Sequence, residues 1–148
     1  MDVIGRGIIA GFLATLALSA MFHPLVTLAR VSDVLPATFG WILHFLVGSL
    51  LWGVSFALIE RFMRGPTWVR GLLFGFAAWL VVMVTVMPLT RGGWFGIALG
   101  LATPAVMLVA HLVYGALLGG IFGFIDPNRP HFDTADSAHD DHLHPLPR

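Results

Sequence analysis

The chain has 148 residues, with eight basic and eight acidic side chains, a formal net charge of zero and no cysteine. Hydrophobic residues make up 57% and charged residues only 11%, with a mean hydropathy of +0.88, whereas soluble domains have roughly 25% charged residues. This balance excludes a soluble domain and a basic nucleic-acid-binding surface, and the lack of cysteine excludes disulfides, thiolate metal sites and iron–sulfur clusters.

Four apolar stretches follow one another along the chain. They cover residues 7–29, 41–59, 71–89 and 103–125, and none contains Asp, Glu, Lys or Arg. Each approaches or exceeds the ~20 helical residues that cross a ~30 Å hydrocarbon core. In lipid, only a helix satisfies its own backbone as an open-ended segment. We therefore expect an all-α membrane protein whose four transmembrane helices form one bundle, over residues 1–125.

The segments outside these stretches are short. Residues 91–102 are apolar and glycine-rich and are expected along the outer interface, and Thr103-Pro104 predicts a helix that begins there with Thr103 as its N-cap. Residues 126–148 are rich in Pro, Asp and His and are expected to form a disordered cytoplasmic tail. The histidines of this tail are candidates for weak metal binding, against the alternative of a solvated acidic tail.

Arginine placement predicts the orientation, because the chain has no lysine. Arg30 and Arg91 fall on one side of the predicted membrane. The other side holds Arg6, Arg61, Arg64, Arg70, Arg129 and Arg148. The positive-inside rule then places both termini in the cytoplasm, with the protein in the inner (plasma) membrane. Residues 17–20 also resemble a signal-peptide cleavage site, but the copy of this helix at 71–89 favours its retention as a span.

The chain contains an internal repeat of a two-helix unit, at about residues 6–59 and 70–126. Eight positions of the first helix recur at an offset of 64 residues, and five positions of the second recur at an offset of 67. The five pairs are His44–His111, Gly48–Gly115, Leu50–Leu117, Leu51–Leu118 and Gly53–Gly120. Copies separated by two helices insert in the same direction. We therefore expect two tandem parallel-repeat helical hairpins, related by a pseudo-two-fold axis along the membrane normal.

Glycines at helical spacing predict close helix packing. Gly7 and Gly11 are one turn apart, and the repeat copies them as Gly71 and Gly75. The fourth helix carries a further ridge at Gly115, Gly119 and Gly123. Small residues on one ridge let helix backbones approach each other, which is how membrane helices associate where lipid provides no hydrophobic drive.

Three histidines and a methionine share one predicted depth. Counted from the inner ends of the helices at 1.5 Å per residue, they lie ~22–26 Å above the inner boundary. These residues are His23, His44, Met87 and His111. Imidazole and thioether groups are metal-ligand types, so the layer is the candidate site of the chain.

Two cofactor hypotheses use this layer. In the first, a b-type haem has His44 and His111 as axial ligands, with a glycine one turn after each making room for the ring and Arg30 and Arg91 neutralising the propionates. In the second, copper or a similar transition metal binds His23, His44, His111 and Met87.

A third hypothesis gives the histidines a structural role. In this case each imidazole hydrogen-bonds across helices to a carbonyl or to a hydroxyl of Thr27, Ser49, Ser55 or Tyr114. Polar residues inside a membrane are costly and therefore point to function by default, but neutral histidine is the least costly of the ionisable residues.

Other functional classes lack their usual residues. The spans contain no carboxylate for a proton or ion relay, and a parallel repeat is not the inverted repeat of many secondary transporters. No Gly-x-Ser-x-Gly motif, phosphate loop or nucleophile–His–carboxylate set is present, so we do not expect an enzyme.

Three motifs carry a family resemblance. They are Arg-Gly-x-x-x-Gly-Phe at Arg6, Gly-Trp-x-x-His-Phe-x-x-Gly at Gly40, and His-Leu-x-x-Gly at His111. Over about residues 5–124 the chain resembles a group of small four-helix membrane proteins of bacteria and archaea that is known only as a domain of unknown function. The resemblance implies the four-helix fold and the histidine positions, and it transfers no reaction, substrate or cofactor.

These observations favour a small non-catalytic membrane protein, an accessory or assembly subunit of a larger membrane complex. Its expected partners are the lipid bilayer and other membrane-protein subunits or further copies of itself, with no nucleic acid. The alternative is a membrane protein that binds haem b or copper through His44 and His111, for electron transfer or metal handling.

Overall fold

The computed structural model describes residues 2–28, 37–89 and 92–126, with side chains described for 2–21, 40–89 and 92–126. All regular structure within these ranges is helical. The α-helices are α1 (Val3–Leu28), α2 (Ala37–Leu46), α3 (Val54–Ile59), α4 (Thr67–Val81), α5 (Met87–Leu89) and α6 (Thr103–Phe124). Two π-helical segments, Val47–Gly53 and Val82–Val86, join α2 to α3 and α4 to α5, and the 3-10 helices are Glu60–Phe62 and Trp94–Leu99.

Four helices of the described chain are long and apolar enough to cross a membrane. They are Val3–Met21, Gly40–Phe62, Thr67–Leu89 and Thr103–Phe124, which we call the first to fourth spans. Their apolar length, rather than any amphipathic stripe, makes these segments helical, since in lipid the backbone must bond within its own segment. The predicted all-α architecture, with four helices long and apolar enough to span a membrane, is confirmed over the described residues.

The second and third spans each contain one π-helical segment. In a π-helix the N–H group bonds to the carbonyl five residues back instead of four, so each turn holds an extra residue. The side chains after such a segment therefore face in a different direction from those of an uninterrupted α-helix. Residue counts at a constant rise and rotation do not include this change.

Glycine backbones form the contact between the first and second spans and between the third and fourth spans, as predicted, and we call these two pairs of spans the first and second hairpins. A Cβ atom on Gly7 would come closer than 3 Å to the Gly53 carbonyl oxygen, and one on Gly71 would do the same to the Gly115 carbonyl oxygen. Real side chains do not approach a backbone oxygen so closely, so only glycine fits at these crossings. Gly120, in contrast, has nothing within 4 Å of where its Cβ would be.

The register of these contacts differs from the sequence repeat. In the first hairpin, Gly7 lies against Gly53. The repeat would pair Gly71, the copy of Gly7, with Gly120, the copy of Gly53. In the structure, Gly71 lies against Gly115 instead. The fourth span is therefore packed about one helical turn, ~5–8 Å, further towards its own C-terminus than the repeat implies.

Aromatic side chains fill the space between the hairpins. Phe56, Phe74 and Phe122 are all buried, and the Phe56 ring meets each of the other two at 5.4 Å between centroids, close to edge-on. Edge-to-face pairs at this distance are favourable beyond the area they bury. Leu118 is also fully buried, which completes the core at the centre of the bundle.

The connection between the third and fourth spans includes the 3-10 segment Trp94–Leu99, which is kinked at Phe95 and Gly96, where φ is positive. It lies within the segment expected at the outer interface. α6 begins at Thr103, one residue earlier than the predicted N-cap implies, and Ala102 is its N-cap. The reason is local: the Ala102 carbonyl accepts the first helical bond, from the Val106 N–H at 3.0 Å, so Ala102 is the N-cap and Thr103 belongs to the first turn. The predicted tail lies outside the described residues, apart from Asp126.

Candidate functional site

His44 lies in α2 on the exposed surface of the bundle, where it contacts the first span. Its Nε2 atom is 3.1 Å from the Ser19 hydroxyl oxygen. The rings of Trp41 and Phe45 stand nearly perpendicular to the imidazole, at 6.0 and 5.9 Å between centroids. The predicted bond across helices is therefore present, but its partner, Ser19, is not among the hydroxyls that sequence reasoning named.

The contact with His44 continues into two hydroxyl groups on the first span, those of Ser19 and Thr15. The Ser19 hydroxyl donates to the Thr15 carbonyl, and the Thr15 hydroxyl donates to the Gly11 carbonyl, both at 2.7 Å. Such bonds to the carbonyl four residues back are how Ser and Thr satisfy themselves inside a helix. The signal in the sequence is the spacing of four between Gly11, Thr15 and Ser19, which puts all three on one helix face.

Tyr114, the only tyrosine of the chain, joins the two hairpins. Its buried hydroxyl donates to the Gly48 carbonyl at 2.6 Å. Gly48 lies in the first π-helical segment, and a side chain there would overlap the Thr15 hydroxyl. The fourth, second and first spans therefore meet at one polar contact.

His111 lies in α6 and is half-buried. Its Nδ1 atom is 2.8 Å from the carbonyl oxygen of Met107, one turn earlier in the same helix. The backbone carbonyl of His111 itself lies against Gly75 of the third span. The imidazole thus finds the carbonyl partner that the structural hypothesis expects, within its own helix rather than across helices.

The two histidines that the sequence repeat pairs have different surroundings. In the first hairpin, the Gly48 carbonyl lies against Gly11, and His44 is one turn before Gly48. In the second hairpin, the carbonyl against Gly75 belongs to His111 itself. Relative to the glycine contacts of its own hairpin, His111 is therefore about one turn away from the place of His44. None of the contacts described for the two imidazoles joins one ring to the other.

The other predicted ligands are distributed as follows. Met87 is buried, and its Sδ atom lies 3.4 Å from where a Cβ on Gly96 would be. His23 lies in α1, but its side chain is outside the described residues, as are Arg30 and Arg91. Within residues 2–28, 37–89 and 92–126, no three His, Asp or Glu side chains are grouped as a metal site would require. The haem and copper hypotheses stay predictions.

Two ion pairs close one end of the bundle. The Nη1 atom of Arg6 is 2.6 Å from Oδ1 of Asp126, and that of Arg70 is 2.6 Å from Oε2 of Glu60. The Arg6 side chain is only 12% exposed and its guanidinium carbon lies 5.0 Å from the centre of the Phe122 ring. The sequence patterns use these arginines for the orientation, the repeat and a family motif, but they do not predict that the arginines connect one hairpin to the other.

A family model described as a family of unknown function, DUF6789, matches residues 1–133. The chain belongs to the DUF6789 family. The match includes all four spans of this DUF6789 member, His44 and His111, and both ion pairs, and it ends within the predicted tail. The resemblance to an uncharacterised family, known only as a domain of unknown function, is thereby confirmed. No curated protein and no solved structure matches the chain.

Proposed function

We propose that this DUF6789 member is a small integral inner-membrane protein that acts as an accessory or assembly subunit of a larger membrane complex. One observation carries the proposal: the interior is filled by Phe56, Leu118 and Phe122, while the His44 imidazole lies on the exposed surface. A polar ring facing hydrocarbon is costly unless a partner covers it. A surface of this kind suits the binding of other membrane helices.

We propose further that this protein has no catalytic groups of its own. The hydroxyls of Thr15, Ser19 and Tyr114 each donate to a backbone carbonyl and so serve to hold the helices together. Glu60, the acidic residue at the end of the second span, is paired with Arg70. Bonds of this kind support a packing role for these groups rather than general acid–base chemistry.

We also propose that the bundle consists of two tandem parallel hairpins that arose by duplication. The sequence matches at offsets of 64 and 67 support this, and so do the corresponding glycine contacts of Gly7 and Gly71. The ion pairs support it further, because the arginine that opens each hairpin binds the acid that ends the other, as a two-fold axis requires. The one-turn shift of the fourth span is then a later change, which the spacing of Gly115 and Gly119 permits.

The proposed location is the inner membrane, with both termini in the cytoplasm. The arginine distribution supports this orientation through the positive-inside rule. Arg6 and Arg70 lie at the same end of the bundle as Asp126, so the proposed orientation assigns both ion pairs and the start of the predicted tail to the cytoplasmic side.

The subunit role is tested by the size of the native assembly. The tagged chain, expressed at its natural level and extracted in a mild detergent, is expected to migrate on a native gel with other membrane subunits at fixed stoichiometry. His44→Leu is expected to release it from that assembly. Thr85→Val is the matched control, since Thr85 is also exposed but donates to the Val81 carbonyl of its own helix at 2.5 Å. Migration only as a monomer or a homo-oligomer contradicts the proposal.

A further inference from the structure

The hydrogen bond of His111 determines which of its ring nitrogens carries the proton. A backbone carbonyl can only accept, so the 2.8 Å contact between Nδ1 and the Met107 oxygen requires an N–H at Nδ1. In the neutral imidazole, Nε2 then holds a lone pair. Histidines that bind metals have this arrangement: one nitrogen ligates, and the other donates to a carbonyl or carboxylate that fixes the tautomer and the ring orientation.

His44 has the opposite tautomer. Ser19 has one hydroxyl proton, and the 2.7 Å bond to the Thr15 carbonyl uses it. With that proton used, the Ser19 oxygen accepts at its 3.1 Å contact with His44, so His44 carries the proton at Nε2 and the lone pair at Nδ1. Nε2 of His44 is thus occupied, whereas Nε2 of His111 has no partner among the described residues. The two histidines that the repeat makes equivalent differ in their capacity to bind a metal through Nε2.

A second soft donor lies beside His111. Met107 precedes it by four residues in α6, so the two side chains share one helix face, and both residues are half-buried. The fourth span has no Asp, Glu, Lys or Arg, so neither a carboxylate nor a competing cation from this helix is close. A thioether and a neutral imidazole without carboxylates are a donor set for copper(I), whereas magnesium and calcium require oxygen ligands.

We propose that Met107 and His111 bind one copper(I) ion, through the Met107 Sδ atom and the His111 Nε2 atom. The ligand set differs from the one that residue counting predicts, because none of the contacts described for His44 joins it to Met107 or His111. The proposal does not depend on the subunit role and is tested on the isolated chain.

The test measures copper(I) affinity by competition with a chromophoric chelator, on the full-length protein in detergent. The tail histidines would contribute binding of their own, so each is replaced by Gln in the background used for every variant. These are His131, His139, His142 and His144. We expect one copper(I) per chain. His111→Ala should weaken binding by at least ~100-fold, the upper end of what loss of a mere hydrogen-bond partner of a ligand costs. His44→Ala, the matched control, should leave the affinity unchanged.

X-ray absorption gives a readout that a structural role would not change. The bound copper should have one sulfur and one nitrogen neighbour, and Met107→Leu, a volume-conserving change, should remove the sulfur signal. Loss of binding in His44→Ala, or a copper ion without sulfur in the parent protein, overturns the proposal. Failure of the parent to compete for copper(I) also overturns it. A parallel titration with haem that gives a Soret shift dependent on His111 would assign the nitrogen to haem iron and reject the copper site.

Discussion

Arg6 and Asp126 form an ion pair between the start of the first span and the residue just beyond the fourth, at 2.6 Å between Nη1 and Oδ1. Arg70 and Glu60 make the same connection in the other direction. Each hairpin is thus held by a charge from the other, at the end of the bundle where residues 63–66 connect the second span to the third. The largely buried Arg6 also lies over Phe122, so this ion pair is continuous with the aromatic core.

Removing the acid of this pair is expected to destabilise the bundle. Asp126→Asn leaves the Arg6 charge largely buried without its counter-ion, and breaking a fully buried pair in this way costs ~3–5 kcal/mol. Asp126 is 32% exposed, so we expect about 1–3 kcal/mol in the free energy of unfolding, measured by denaturation in detergent micelles. Arg61→Gln, at an exposed arginine that lies over Phe62, should change it by less than about 0.5 kcal/mol. Equal effects at the two sites would show that the ion pair adds nothing.

The glycine contacts predict that alanine substitutions at two glycines of the fourth span, Gly115 and Gly120, have very different effects on stability. Gly115→Ala places a methyl group against the Gly71 carbonyl and must push the third and fourth spans apart, for which we expect about 1–3 kcal/mol of destabilisation. Gly120→Ala adds the same methyl group in open space and should be neutral or slightly stabilising, because Ala favours a helix over Gly. The same unfolding assay compares them. If Gly120→Ala were the more damaging change, the register of the sequence repeat would be the correct one.

The four spans could be predicted from the sequence because apolar length alone determines them. The glycine packing could be predicted as well, since Gly7, Gly11 and their copies are spaced by one helical turn. The register between the helices could not. Gly53 and Gly120 match in sequence, yet only Gly53 lies at a helix crossing, because the position of one helix along another depends on how all four pack together.

The candidate site was only partly predictable for a related reason. Equal depth for His44 and His111 assumes a constant rise per residue and identical hairpins, whereas the second span contains the π-helical segment Val47–Gly53 and the fourth span is shifted. The partner of each imidazole is a further unknown at the level of sequence. Ser19 and the Met107 carbonyl are specific to the local geometry, and they give the two rings opposite tautomers.

The Tyr114 hydroxyl is expected to contribute measurably to the association of the hairpins. Tyr114→Phe leaves the Gly48 carbonyl without its donor, and hydrogen bonds between membrane helices are worth ~0.6 kcal/mol on average and up to ~1.7 kcal/mol. We expect a loss near the upper value, since both groups are buried. Thr85→Val is the control, because it removes an exposed hydroxyl that bonds within its own helix. A stability equal to that of the parent would mean that the Gly48 carbonyl is satisfied within the π-helical segment.

The last prediction concerns the orientation of the protein in the membrane. It is simple to test because the chain has no cysteine, so a single introduced cysteine is the only thiol that a maleimide can label. Ser32 precedes the second span and Thr67 begins the third, so single cysteines at these two positions are on opposite sides of the membrane. With the arginine-rich connection in the cytoplasm, a membrane-impermeant maleimide should label intact cells at Ser32→Cys alone. Thr67→Cys should react only after the membrane is permeabilised, which controls for burial of that residue at the start of α4. Labelling of Thr67→Cys in intact cells would invert the protein and place both ion pairs and the tail outside the cytoplasm.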